Sequence, residues 1–270
     1  MRLVVLGDPV EHSLSPAIHQ AAFQAEGIAG SYTARRVDAA GLEQAFDEIR
    51  RGDLDGANVT MPHKHLAAEL CDVLAPEAAR TGAVNTLVRV GSSIVGHNTD
   101  VAGVTTAWWW ASLPTDGPVL VLGAGGAAAA ALVALEQRAL TLSARSQRRA
   151  AALLELIGVA AGVVAWGEAV HGAVVVNATP VGMHGEPADA EVVAGASGWF
   201  EMAYGSGSTP AVTACRDRGI PVSEGPDMLL AQALEAFRLW TGRSPDAATL
   251  RAAMMAAASH RRENAKPAHA

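Results

Sequence analysis

Only two of the 270 residues are cysteine, Cys71 and Cys215, and their separation suits neither a metal site nor a redox pair. A disulfide framework is therefore excluded, and a reducing, cytoplasmic setting is expected. The nine histidines are scattered, and no carboxylate–histidine spacing marks a metal site; His63 and His65 merely flank Lys64. No apolar run approaches the ~18 residues of a membrane span, so no membrane partner is expected. Residues 1–9 read as a strand and a turn rather than a leader peptide. Positive charge is also short: 20 Lys and Arg against 27 Asp and Glu leave a net charge of −7. That balance offers no broad cationic face, so no nucleic-acid partner is expected either.

What is present points to a globular α/β protein. Apolar residues make up 50% of the chain, enough for two cores, and the length suits two domains of ~150 residues. Strand-like and helix-like patterns alternate, which predicts parallel sheets covered by helices. In the first hundred residues, strands are expected at 3–6, 31–37 and 54–60, with a strand pair at 84–90 and 93–97 turned at Gly91-Ser92. Ser15-Pro16 reads as a helix start, with Ser15 as the capping hydroxyl. Leu42, Ala45, Phe46 and Ile49 share one helix face, and Leu66, Leu70 and Val73 mark another helix. Residues 100–113 form a connecting helix carrying three adjacent tryptophans, packed on both domains, and 114–118 break the pattern. The tail from about His260 is polar and expected to fray.

Two segments carry chemistry. The first is Gly56-Ala-Asn-Val-Thr-Met-Pro-His-Lys64, where Asn58 and Thr60 alternate with Ala57, Val59 and Met61. Pro62 ends the strand and leaves Lys64 at its tip, where it reads either as a solvated surface cation or as an ammonium in a cleft that can exchange a proton. The second is Pro118-Val-Leu-Val-Leu-Gly-Ala-Gly-Gly-Ala-Ala, a buried strand running through a glycine turn into an alanine-rich helix. Gly123, Gly125 and Ala128 fit the dinucleotide fingerprint, with Gly125 letting the backbone approach a pyrophosphate at the helix start. The next strand, 139–143, ends without the acidic residue that takes a ribose 2′-hydroxyl. It runs instead into Ala144-Arg145-Ser146-Gln147-Arg148-Arg149. Guanidinium groups and a hydroxyl there suit a 2′-phosphate, so NADP is expected rather than NAD.

Taken in order, the motifs resemble the shikimate dehydrogenase family. They are Gly7-Asp-Pro-Val-Glu-His-Ser-Leu-Ser-Pro16, Ala57-Asn-Val-Thr-Met-Pro-His-Lys64, Gly82-Ala-Val-Asn-Thr86 and Asn98-Thr-Asp100. Gly123-Ala-Gly-Gly-Ala127, Asn177-Ala-Thr179 and Gly225-Pro-Asp-Met-Leu-Leu-Ala-Gln232 complete the set. The resemblance implies NADPH-dependent, reversible reduction of 3-dehydroshikimate to shikimate in aromatic amino acid and chorismate biosynthesis. It implies two α/β domains around a cleft: a substrate domain of residues 1–101 plus 228–270, and a Rossmann-type NADP domain of residues 102–227. Lys64 and Asp100 become the catalytic pair. Ser13, Ser15, Asn58, Thr60, Asn85, Thr99, Tyr204 and Gln232 become substrate ligands. Gly123, Ala124, Gly125, Gly126, Ala127, Arg145, Ser146, Arg149, Ala178, Thr179, Gly225 and Met228 become cofactor contacts. The partner is a small molecule, and a homodimer is compatible with this reading. A quinate or aminoshikimate dehydrogenase of the same family is the nearest alternative, and a non-catalytic metabolite-binding regulator is an alternative of another class. Three departures stand out: Ala144 replaces an amide, Glu201 stands where the pattern usually starts with aspartate, and Gly205-Ser-Gly-Ser-Thr209 is expected to be more flexible than usual.

Overall fold

A computed structural model describes residues 1–204 and 207–264, with side chains through Arg261. The chain divides into two compact units. The first comprises Met1–Ala79, Ala83–Thr99 and Gln232–Ala270; the second comprises Arg80–Gly82 and Asp100–Ala231.

The first unit holds a six-stranded sheet in the order β2-β1-β3-β5-β6-β4. Its strands are β1 (Arg2–Gly7), β2 (Ser31–Arg36), β3 (Gly56–Val59), β4 (Val73–Leu74), β5 (Thr86–Val90) and β6 (Ser93–His97). The sheet is mixed rather than wholly parallel. A hairpin through Gly91, at φ 63°, makes β5 antiparallel to both β3 and β6, while the other pairings are parallel. Helix α2 (Ala39–Arg51) buries Leu42, Ala45, Phe46 and Ile49, the face its spacing predicts. The Asp38 carboxylate caps its start by accepting from the Gly41 N–H at 2.8 Å. These four residues join Leu6, Ala57, Val59 and Leu87 in one core.

Two expectations fail at element ends. Val73 does not extend a helix, because α3 (Lys64–Leu70) stops at Cys71 and Val73 pairs with Val95 in the sheet. Ser15 is not a cap: Leu14 occupies that position and α1 (Ser15–Ala25) begins at Ser15, whose N–H donates to the Ser13 hydroxyl at 3.3 Å. The expected fray from about His260 is corrected as far as Asn264, where α11 (Ala247–Asn264) ends, while residues 265–270 lie outside the described residues.

The opposite side of this unit is aromatic. His19 on α1 is fully buried and stacks on Tyr32 with 4.3 Å between ring centres. It meets Trp240 edge-on at 5.3 Å, with Phe237 6.3 Å away. Burial pushes its imidazole down to about 3, so the ring is neutral.

The second unit is a parallel six-stranded sheet ordered β12-β11-β10-β7-β8-β9. Its strands are β7 (Pro118–Leu122), β8 (Ala139–Ser143), β9 (Gly162–Val164), β10 (Val174–Asn177), β11 (Gly198–Glu201) and β12 (Val222–Ser223). Near-continuous apolar strands fit a sheet covered on both faces. One face packs on α5 (Thr99–Trp110), α6 (Gly126–Ala134) and α7 (Gln147–Ile157) through Trp108, Ala128, Leu132, Leu142 and Leu153. The other packs on α8 (Ala190–Gly195) and α9 (Pro210–Asp217) through Trp199, Val193 and Val212. Within α5, Trp108 is buried while Trp109 is 77% exposed, as three consecutive rings on one helix require. No helix among the described residues is long and apolar enough to cross a membrane.

Candidate functional site

The first unit gathers Ser13, Ser15, Asn58, Thr60, Lys64, Asn85, Thr99 and Gln232. Ser13 lies in the loop between β1 and α1, its N–H donating to the Val10 carbonyl at 3.0 Å. Its hydroxyl oxygen accepts from Ser15, which leaves the hydroxyl hydrogen to donate. The loop leads straight into the positive end of α1, which favours an anion.

Behind it runs a buried polar chain. The Tyr32 hydroxyl donates to Asn58 Oδ1 at 2.5 Å. Asn58 Nδ2 donates to the Asn85 carbonyl and to Thr86 Oγ1, both at 3.0 Å. Thr86 Oγ1 donates to Asn85 Oδ1 at 2.9 Å, and the Thr99 N–H donates to the same oxygen at 2.8 Å. The Thr99 hydroxyl lies within reach of both Asn85 Oδ1, at 3.1 Å, and Gln232 Oε1, at 3.3 Å. Both Asn58 amide hydrogens are thereby spent inside the protein. Asn58 thereby braces Asn85 and Thr86. Tyr32, which sequence reasoning missed, and Thr86, which it quoted in a motif without a role, belong to the same chain. Nothing in their spacing marks them, because only the β3–β5 register brings Asn58 opposite Thr86.

Strand β3 ends at Val59, so Thr60 and the 64% exposed Met61 lie in the turn rather than on alternating strand faces. The turn is fixed by His63, whose Nε2 lies 2.8 Å from the Val37 carbonyl, and by the Val84 N–H donating to the Lys64 carbonyl at 2.9 Å. Lys64 opens α3 and is half-buried.

The second unit holds Asp100, the glycine turn, the arginines, Ala178, Thr179, Tyr204, Gly225 and Met228. Asp100 sits buried in the first turn of α5. Gly123 has φ 112°, and a Cβ there would lie 2.9 Å from the Ala178 carbonyl oxygen, so only glycine fits. Gly125, the N-cap of α6, is the reverse: a Cβ would meet no protein atom within 4 Å. That open space, with no side chain capping the helix start, is what a pyrophosphate needs. Ala124, Gly126 and Ala127 flank it, and Ala128 is fully buried behind it. Ser146 caps α7 by accepting from the Arg149 N–H at 3.3 Å. Arg145 and Arg149 are exposed, and no salt bridge among the described residues engages either. Arg145, Ser146 and Arg149 thus suit a 2′-phosphate.

The turn beside Gly123 is rigidly tied. Asn177 Oδ1 accepts from the Thr179 N–H (3.2 Å) and hydroxyl (2.6 Å), and Asn177 Nδ2 donates to the Val181 carbonyl (2.9 Å) and Glu201 Oε1 (2.8 Å). Glu201, 1% exposed, also accepts from the Ala203 N–H, Trp199 Nε1 and the Thr209 hydroxyl. Burial pushes its carboxyl up to about 7, while the four donors pull the other way. Glu201 is therefore a hub for the turn, a role its position in the sequence does not signal. Thr209 is fastened to it, and Ser208 donates to Glu224 at 2.7 Å. The expected flexibility is thus corrected for residues 208–209, while Gly205 and Ser206 lie outside the described residues. Tyr204 is half-buried at the end of the described stretch, and Gly225 packs against the Ala203 carbonyl at the start of α10 (Gly225–Thr241). Met228 is 5% exposed and packs in the core of this unit. Among the described residues no group of three or more His, Cys, Asp or Glu is placed to hold a metal.

Comparison with known proteins gives two family matches: the shikimate dehydrogenase substrate binding domain over residues 5–87, and the shikimate 5′-dehydrogenase C-terminal domain over residues 225–255. A shikimate dehydrogenase (NADP(+)) of Thermus thermophilus is 38% identical over 251 residues, 91% of this chain and 94% of that one. One of Archaeoglobus fulgidus is 37% identical over 267 residues, 94% of this chain and 98% of that one. A crystal structure of a Thermus thermophilus shikimate 5-dehydrogenase in complex with NADP(H) and shikimate superposes with a TM-score of 0.87. It is 36% identical and covers 95% of this chain and 99% of that one.

Proposed function

The chain belongs to the shikimate dehydrogenase family, and from that premise we propose that it catalyses the reversible, NADPH-dependent reduction of 3-dehydroshikimate to shikimate. The similarity to relatives named for this NADP(+) activity extends over nine-tenths of the chain. The observation that carries the substrate side is the buried chain from Tyr32 through Asn58, Asn85 and Thr99 to Gln232, in the same unit as Lys64. Amides held in fixed orientation suit a ring of hydroxyls, since each can both donate and accept.

When bound, NADPH supplies the hydride to the ketone carbon. The Lys64 ammonium gives a proton to the oxygen that becomes the new hydroxyl, and in the reverse direction the Lys64 amine takes that proton back. Asp100 is the second member of the catalytic pair and accepts from a substrate hydroxyl. Ser13 and Ser15 hold the carboxylate, and Thr60, Asn85, Thr99, Tyr204 and Gln232 orient the ring. The glycine turn at Gly123–Gly126, with Ala178 and Thr179, takes the pyrophosphate side, and Arg145, Ser146 and Arg149 take the 2′-phosphate. A cytoplasmic location and a homodimer belong to the same reading; light scattering tests the second.

Initial rates with shikimate and quinate, each against NADP⁺ and NAD⁺, test the function. Shikimate oxidation with NADP⁺ alone is expected. A preference for quinate or NAD⁺ would overturn the specificity, and no turnover in any combination would overturn the enzymatic reading.

A further inference from the structure

Helix α11 ends near residue 264, about 250 positions from the serine loop in sequence, yet it reaches that loop. Arg261 Nη1 donates to the His12 carbonyl at 2.6 Å, and Nη2 donates to the Ser13 carbonyl at 2.8 Å. Helix α11 packs along α1, the helix that Ser15 opens. A guanidinium presents its donors as a rigid fork, so holding two successive carbonyls fixes the orientation of the peptide between them. Ser13 is then restrained at three points: its N–H by the Val10 carbonyl, its carbonyl by Arg261, and its hydroxyl oxygen by the Ser15 N–H. The hydroxyl hydrogen is left to donate outward.

We infer that Arg261 is a positioning residue that clamps the 12–15 loop in the conformation that receives the substrate carboxylate. Both donors to the loop carbonyls come from the one side chain, so its removal frees two carbonyls at once. The guanidinium also sets a positive charge behind the loop, which favours an anion in front of it. The clamp acts on one ligand only, because Gly123, Gly125 and the arginines at 145 and 149 belong to the other unit. The inference rests on the shikimate reading for its substrate.

The test compares wild type with Arg261→Met, which keeps much of the apolar stem, and with Arg261→Lys, which keeps the charge but not the fork. Expected for Arg261→Met is a rise of about tenfold in KM for shikimate, the scale of one lost charge-assisted hydrogen bond, with kcat and KM for NADP⁺ unchanged. Arg261→Lys should fall between the two. A role in stability alone would lower the unfolding midpoint and leave the ratio of the two KM values unmoved, which would overturn the inference. Hydrogen exchange of residues 10–16 in the ligand-free protein gives a second readout: faster exchange confined to that loop is expected in Arg261→Met, and unchanged exchange would also overturn the inference. If wild type turned over no shikimate, the functional reading would fail on that result alone, and the exchange measurement would still decide the clamp.

Discussion

His19 makes a demanding test because the structure gives its environment and its charge together. The ring is fully buried among Tyr32, Phe237 and Trp240, and burial lowers its pKa from 6.5 to about 3. A depressed folded value means that between pH 6.5 and 3 the unfolded chain binds a proton the folded chain refuses. Stability from this group is therefore intact above pH 6.5 and lost as pH falls. At pH 5 the loss is about 1.4 kcal/mol times 1.5 units, or about 2 kcal/mol. His19→Phe keeps an aromatic ring for stacking and removes the titration. Glu201, with its raised value, slopes the opposite way between pH 4.5 and 7, so the wild-type curve alone can look flat. The diagnostic quantity is the difference in unfolding free energy between wild type and His19→Phe, measured in urea at pH 7 and pH 5. The variant should gain about 2 kcal/mol on wild type over that interval. Equal pH dependence in the two proteins would refute the reasoning, as would an imidazole resonance of His19 that titrates near 6.5 by NMR.

Glu201 gives the complementary case. Its raised pKa means that stability falls as pH climbs from 4.5 through about 7, by a total of about 3 kcal/mol; Glu201→Gln should abolish that fall in urea denaturation between pH 5 and 8. The same variant turns an amide nitrogen toward fixed donors, so KM for NADP⁺ should rise while KM for shikimate holds. Lys64→Ala should lower kcat by ~10²–10⁴-fold with little change in shikimate affinity by calorimetry; retained turnover would remove Lys64 from proton transfer. Replacing Arg145 and Arg149 together by alanine should raise KM for NADP⁺ by at least about tenfold and leave NAD⁺ kinetics untouched.

Local pattern was the legible part of this chain. The α2 face, the Gly91 hairpin and the strand–glycine–helix of β7 and α6 follow from spacing and turn chemistry over short windows. The antiparallel pairing of β5 with β3, the end of α3 and the cap of α1 were not legible, because each depends on which neighbour competes for the same backbone group. In the site, residues within motifs could be listed, but the groups that orient them could not. Tyr32, Glu201 and Arg261 lie 26, 24 and 248 positions from the residues they hold. Asn58 shows the complement: the residue type suggests a ligand, and the bonds add a bracing role that spacing does not reveal.

The connected amides of the first unit also constrain how this sequence can drift. Thr86, Asn85, Thr99 and Gln232 share hydrogen-bond partners, so a change at one leaves a buried polar atom of another stranded. Groups sharing partners couple by ~0.5–3 kcal/mol. A lineage moving toward a ring with one more or one fewer hydroxyl would thus cross a valley of non-additive single changes. Successful divergence at this site should surface as paired replacements, whereas the exposed arginines at 145 and 149 are free to be exchanged one at a time.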